Sequence, residues 1–183
     1  IAALIGLFIG LLTGGLPLVN ASLSPLLTAI SLVPPLALLP ILFIVFGLNE
    51  LSKVVLIVIG VAPFIARDLQ KHTMELPREL LVKAQTLGAN SMQIVVRVLL
   101  PQIMPRLIDA VRLSLGTGWL FLIAAEAIAA TDGLGYRIFL VRRYLAMDVI
   151  IPYVAWITLL AFLLDYALAK LSRALYPWHH KEG

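Results

Sequence analysis

Long runs without a charged residue recur along this chain. Residues 36–48 and 113–125 contain no Asp, Glu, Lys or Arg, so no charged stripe marks a solvent face at the period of an amphipathic helix. Crossing the hydrocarbon of a bilayer takes about 20 apolar residues at a rise of about 1.5 Å each. Five segments approach that length: residues 1–19, 26–48, 51–66, 113–130 and 149–164. The pattern predicts an all-α membrane protein with about five transmembrane helices. Pro34, Pro35 and Pro40 fall in the second segment and should kink or unwind part of it, because each removes a backbone donor and crowds the preceding turn. Asn49, Glu50, Ser52 and Lys53 read as a tight turn at a membrane surface before the third segment.

The longest polar stretch, residues 67–112, has its own pattern. Pro77 precedes a helix-favouring run, Arg78-Glu79-Leu80-Leu81-Val82-Lys83-Ala84, and Gly88 should end it. Asn90 and Ser91 suit a helix N-cap, and Met92 to Leu100 forms a second short run before Pro101 and Pro105. Residues 77–101 therefore read as helix, turn, helix. Such a pair, amphipathic and without a catalytic constellation, has the character of a docking element for a partner protein.

Composition points to lipid as the solvent. Of 183 residues 61% are hydrophobic and 13% charged, against about half and about a quarter in soluble domains. Cysteine is absent, and His72, His179 and His180 lack the spacing of a structural zinc site. The net charge of +4 does not argue for nucleic acid, because the basic residues lie between apolar segments. Seven of the fourteen Lys and Arg fall in residues 67–112. The positive-inside bias then puts that loop, and by alternation the tail with Lys170, Arg173 and Lys181, in the cytoplasm. Arg137, Arg142 and Arg143 crowd a loop on the other side and run against the bias. The chain opens at Ile1 within an apolar run, with no Met and no signal-peptide pattern, and reads as an N-terminally incomplete single transmembrane domain over residues 1–183.

Residues 79–101 resemble the signature loop of ABC importer permeases, an E-A-A triplet, three residues, glycine, nine residues and I-x-L-P. Gly88 and Val98-Leu99-Leu100-Pro101 keep that spacing, while Val82-Lys83-Ala84 stands in place of the triplet. Two further blocks are similar to the branch that carries taurine, alkanesulfonates, nitrate and bicarbonate. They are Val33-Pro34-Pro35-Leu36-Ala37-Leu38-Leu39-Pro40 with Phe46-Gly47, and Ala125-Glu126-Ala127-Ile128-Ala129-Ala130 with Gly133-Leu134-Gly135-Tyr136. The resemblance implies the type I importer permease fold and a multi-pass subunit of a bacterial inner membrane. It implies cytoplasmic ABC ATPase subunits that carry ATP and Mg, an extracytoplasmic solute-binding protein, and a second permease copy, expected as a homodimer. No phosphate-binding G-x-x-x-x-G-K-[ST] loop occurs in these residues, so the ATP chemistry belongs to a partner and this chain is not itself an enzyme. The residues so implicated in coupling are Glu79, Lys83, Ala84, Gly88, Ala89 and Pro101.

Each candidate also has a plain structural reading. Glu79 anchors the coupling helix or is a solvated first-turn carboxylate, and Lys83 reads as solvated. Glu126 lies deep in an apolar segment, which marks either a pathway or gate residue or a buried carboxylate paired with a base such as Arg137. Asp109 and Arg112 are spaced for a local ion pair, and Asp165 reads as structural. Gly6, Gly10, Gly14 and Gly15 form a small-residue face for close helix packing, within the chain or across a dimer. Trp119, Trp156 and the Tyr176-Pro177-Trp178 cluster suit packing and interfacial anchoring.

An ATP-independent secondary transporter or channel is the alternative. It would call for inverted hydropathy repeats or paired intramembrane charges, and it leaves the cytoplasmic helix pair without a purpose. A membrane-embedded enzyme would need clustered His, Asp or Glu within the spans. The resemblance to that branch implies, as solute, a small polar or charged nutrient such as a sulfonate, nitrate, bicarbonate or a small nitrogen compound.

Overall fold

The computed structural model describes residues 1–180, so Lys181 of the expected cytoplasmic tail lies outside the described residues. The first apolar segment is two helices, not one. Helix α1 (Ala2–Gly15) stops at Leu16, which is extended at φ −122° and ψ 109°, and α2 (Pro17–Leu32) begins with a proline. The cause is local: a proline disfavours helical geometry in the residue before it, while its missing N–H costs nothing at a first helical position.

Val33 and Pro34 are extended, a 3₁₀ turn covers Pro35–Leu38, and α3 (Leu39–Phe46) follows. Helix α2 and this second piece meet at 77°, which is the kink expected from Pro34 and Pro35. Pro40 introduces no bend because it occupies the first turn of α3. The turn to α4 (Glu50–Met74) is Gly47-Leu48-Asn49, with Gly47 at φ 77° and its carbonyl accepting from the Ser52 hydroxyl. Ser52 and Lys53, expected in a surface turn, lie instead in the first turn of α4 and are 1% and 5% exposed.

Helix α4 is the axis of the molecule. Leu56, Ile65, Ala66 and Leu69 on it are fully buried. Helix α1 runs parallel to it, with Gly6 against Ile65, Gly10 against Leu69 and Gly14 against Thr73. A Cβ at those glycines would lie 2.6, 2.8 and 2.5 Å from these side chains, so the glycine face sets the helix separation and packs within the chain. On another side of α4, the Phe121 ring seats against Gly60.

After α5 (Arg78–Thr86) the chain was expected to form a short helix ending near Pro101. Instead α6 (Ser91–Ile94) runs through one π turn, Val95–Leu99, into α7 (Leu100–Ala129). In that turn the Leu100 N–H bonds to the Val95 carbonyl, five residues back. Pro101 has no N–H to give and in a regular α-helix would collide with the carbonyl four residues earlier; the wider turn relieves both demands, so the helix continues. Helix α8 (Leu134–Arg142) carries Arg137 and Arg142, which were expected in a loop, and the Arg142 guanidinium sits 5.0 Å from the Phe139 ring centre. Helix α9 (Met147–Leu175) closes the fold, followed by a 3₁₀ turn in which Tyr176 and Trp178 meet edge to face.

The five expected segments fall on α1, the α2–α3 pair, α4, α7 and α9. Their bounds shift, and two helices, Ser91–Ile128 and Met147–Leu175, are long and apolar enough to cross a bilayer, or three with the bent pair. Helix α1, at 14 residues, is short, and α4 carries Glu50 and Lys53 at one end and Arg67, Asp68 and Lys71 at the other. Helix α4 is the helix surrounded by others, so charge at its ends meets protein as well as lipid.

Candidate functional site

Two polar regions stand at opposite ends of α7. At the first, α5 turns one side inward, where Leu81, Ala84 and Ala89 pack against the core. Its other side leaves Glu79 and Lys83 exposed, with Val82 and Leu87 exposed at 55% and 87%. Neither Glu79 nor Lys83 forms an ion pair among the described residues.

Backbone geometry fixes this helix. Gly88 sits at φ 82°, a conformation that costs an L-residue about 1 kcal/mol or more and glycine almost nothing. With that torsion, the Ala89 N–H reaches the Ala84 carbonyl at 3.0 Å and the Gly88 N–H reaches Gln85 at 2.9 Å, the pairing of a Schellman turn. A Cβ at Gly88 would meet nothing within 4 Å, so torsion and not space demands glycine there. The spacing of Ala84, Gly88 and Ala89 thus has a local cause: these are the last-turn, left-handed and following positions of one helix cap. Asn90 then caps α6 reciprocally, accepting from the Gln93 N–H at 2.8 Å while the Gln93 side chain accepts from the Asn90 N–H at 3.0 Å. Pro101 lies exposed in the first turn of α7.

At the far end of α7, Glu126 is 9% exposed. Its carboxylate accepts from the Gly135 N–H at 2.8 Å and lies 3.9 Å from the Lys53 ammonium, which also donates to Glu50 at 2.6 Å. The base beside Glu126 is therefore Lys53, not Arg137, which is exposed. Gly133, at φ 112°, brings backbone against the carboxyl, where a Cβ would lie 2.4 Å from its carbon. Three separate chain segments converge on one acidic side chain.

Between these ends, Arg112 bonds Asp165 of α9 at 2.8 and 3.1 Å, while Asp109, its expected local partner, stands 3.6 Å away. The α7–α9 contact is thus the stronger use of Arg112. His179 lies 3.3 Å from Asp109. No group of three or more His, Asp or Glu that could hold a metal occurs among the described residues.

A cavity of about 810 Å³ opens between α2 and α4, and Glu126 does not line it. The sequence reading missed it. Its signal was present in α2, where Asn20, Ser24, Thr28 and Ser31 repeat at helical spacing along an otherwise apolar run.

These features define the chain as a helical membrane protein with an exposed helix of mixed apolar and charged face at one end of α7. Residues 2–178 match the family model described as the binding-protein-dependent transport system inner membrane component, and the chain belongs to that family. Over 178 residues it is 38% identical to the taurine transport system permease protein TauC of Escherichia coli, covering 97% of this chain and 65% of that protein. It is 32% identical over 147 residues to the putative aliphatic sulfonates transport permease protein SsuC of the same organism, covering 80% of this chain and 56% of that one. The chain thus spans about two thirds or less of these relatives. Among solved structures, the inward-facing MetNI methionine ABC transporter matches with a TM-score of 0.78 at 26% identity, covering 94% of this chain and 88% of that chain. The type I ABC importer permease fold expected from the sequence is the fold observed.

Proposed function

We propose that this chain is the membrane-spanning permease subunit of an ATP-driven importer and that α5 is its coupling helix. One observation carries this reading: an exposed helix with a mixed apolar and charged face is rigidly capped onto a helix of 38 residues, Ser91–Ile128. At about 1.5 Å per residue that helix is about 57 Å long, so a displacement of α5 is delivered across the membrane as a lever and not absorbed by a loop. Val82 and Leu87 offer apolar contact and Glu79 and Lys83 offer charge, the composition of a protein-docking face. Ala84, Gly88 and Ala89 act by holding the cap, and Pro101 by requiring the π turn that keeps lever and coupling helix continuous.

In this reading the ATP and Mg are held by cytoplasmic ABC ATPase subunits, an external binding protein supplies the solute, and a second copy completes the pathway. The coupling loop and the C-terminal tail face the cytoplasm, in keeping with the basic residues at 67–112. Kinship with taurine and sulfonate permeases supports a small polar or anionic nutrient. Glu126 serves as a latch between α4, α7 and the Gly133–Gly135 turn, because its carboxylate is already committed on two sides.

The test is co-purification of the full-length permease with its ATPase, with ATP hydrolysis recorded in liposomes. Gly88→Asp is expected to lower retained ATPase or its stimulation at least about tenfold, a misplaced docking surface being worth about 1.4 kcal/mol or more. Wild-type permease that retains no ATPase would overturn the reading.

A further inference from the structure

We infer that the α2–α4 cavity is an anion-accepting section of the solute path, with Arg67 as its charge-selecting side chain. The inference rests on the permease reading and adds the site and the side chain that selects charge there. Helix α2 has a mean apolar composition, yet four of its five polar side chains, Asn20, Ser24, Thr28 and Ser31, line the cavity; the fifth, Ser22, lies outside it and donates to the Leu18 carbonyl of its own helix. Polar groups turned to lipid would lose hydration without return, so a polar face on such a helix marks water or protein. Protein covers one end only, where Gln70 of α4 donates to Asn20 at 2.9 Å. The remaining volume, about 810 Å³, exceeds what a small organic acid needs.

The facing wall is α4. Because α2 and α4 are antiparallel and Asn20 meets Gln70, Ser24 one turn along α2 stands level with Arg67 about one turn back along α4. Four charged side chains line the cavity. Lys71 and Glu75 stand 3.9 Å apart, and Asp68 lies 3.5 Å from His72. Arg67 makes no ion pair among the described residues and points an always-charged, multidentate donor at the space. The hydroxyls of Thr28 and Ser31 donate to their own helix backbone, at 2.9 and 2.6 Å. Arg67, the Ser24 hydroxyl and the Lys71 ammonium, which only approaches Glu75, therefore supply donors for a solute, and a planar or tetrahedral oxyanion, carboxylate or sulfonate, is the chemistry they fit.

These residues include no cysteine, which makes the site directly testable. Ser24→Cys is introduced into the full-length permease assembled with its ATPase, with any cysteine elsewhere in the chain changed to serine. Its rate of modification is measured with two methanethiosulfonates, one bearing a sulfonate and one a trimethylammonium group. Leu26→Cys, on the lipid side of the same helix, is the reference. The expected result is fast labelling at position 24, slow labelling at 26, and a sulfonate-to-ammonium rate ratio that Arg67→Gln lowers at least about fivefold while Arg67→Lys keeps most of it. Labelling at 24 no faster than at 26 overturns the aqueous path. A ratio that Arg67→Gln leaves unchanged overturns the anion selection, as it would if a lipid phosphate held the arginine. Retained ATPase is read from the same preparation: its loss in the wild type rejects the permease reading, whereas an unmoved ratio with ATPase in place rejects the anion site alone.

Discussion

The two ends of α7 are held in opposite ways. At the Glu126 end, the buried charges of Lys53 and Glu126 clamp three segments together, while Glu50, Asp132 and Arg137 stay exposed around them. At the coupling end, backbone hydrogen bonds and one left-handed glycine do the holding, and the side chains of Glu79, Val82, Lys83 and Leu87 stay free of the fold. A region that serves the fold spends its side chains inward. One that serves a partner must be shaped by its backbone, so that its side chains remain available.

This contrast can be broken by substitution. The largest effect is expected from Gly133→Val, which adds a β-branched side chain at φ 112° inside the space of the Glu126 carboxyl. It should cost about 3 kcal/mol or more, read as loss of folded protein or a lowered unfolding temperature in detergent. Lys53→Met leaves Glu126 with the Gly135 N–H but no counter-charge, and should cost about 3 kcal/mol, whereas Lys83→Met should stay within about 0.5 kcal/mol. Equal losses for the two lysines would erase the distinction. Asn90→Ala removes the reciprocal cap of α6 and should cost about 1 kcal/mol, with a larger fractional loss of coupled ATP hydrolysis than of stability.

How much of this was legible depended on range along the chain. The Gly88 turn and the Asn90 cap are set by neighbours within five residues, so spacing sufficed to find them. The kink at Pro34 and Pro35 was local in the same sense. The break at Leu16 was also local, but an apolar run through Pro17 outweighed the single proline in a reading based on hydropathy. Pro101 misled, because proline stops a regular helix and nothing in Val95 to Leu99 announces a π turn. The Glu126 partnership was out of reach: Lys53 is 73 positions away, and only the packing of α4 on α7 brings it in. The glycine face of α1 was visible, but its partner, α4, was not, since small residues state that something comes close without saying what.

The central claim is that α5 is built to be docked upon and not to support the fold. Leu87→Asp tests it most directly, because Leu87 is 87% exposed and follows the last residue of the helix. ATPase retention and thermal unfolding would be measured on the same purified full-length permease. The account expects ATPase retention to fall at least about tenfold while the unfolding temperature stays within a few degrees of wild type. Full retention of the ATPase by a well-folded Leu87→Asp permease would contradict it.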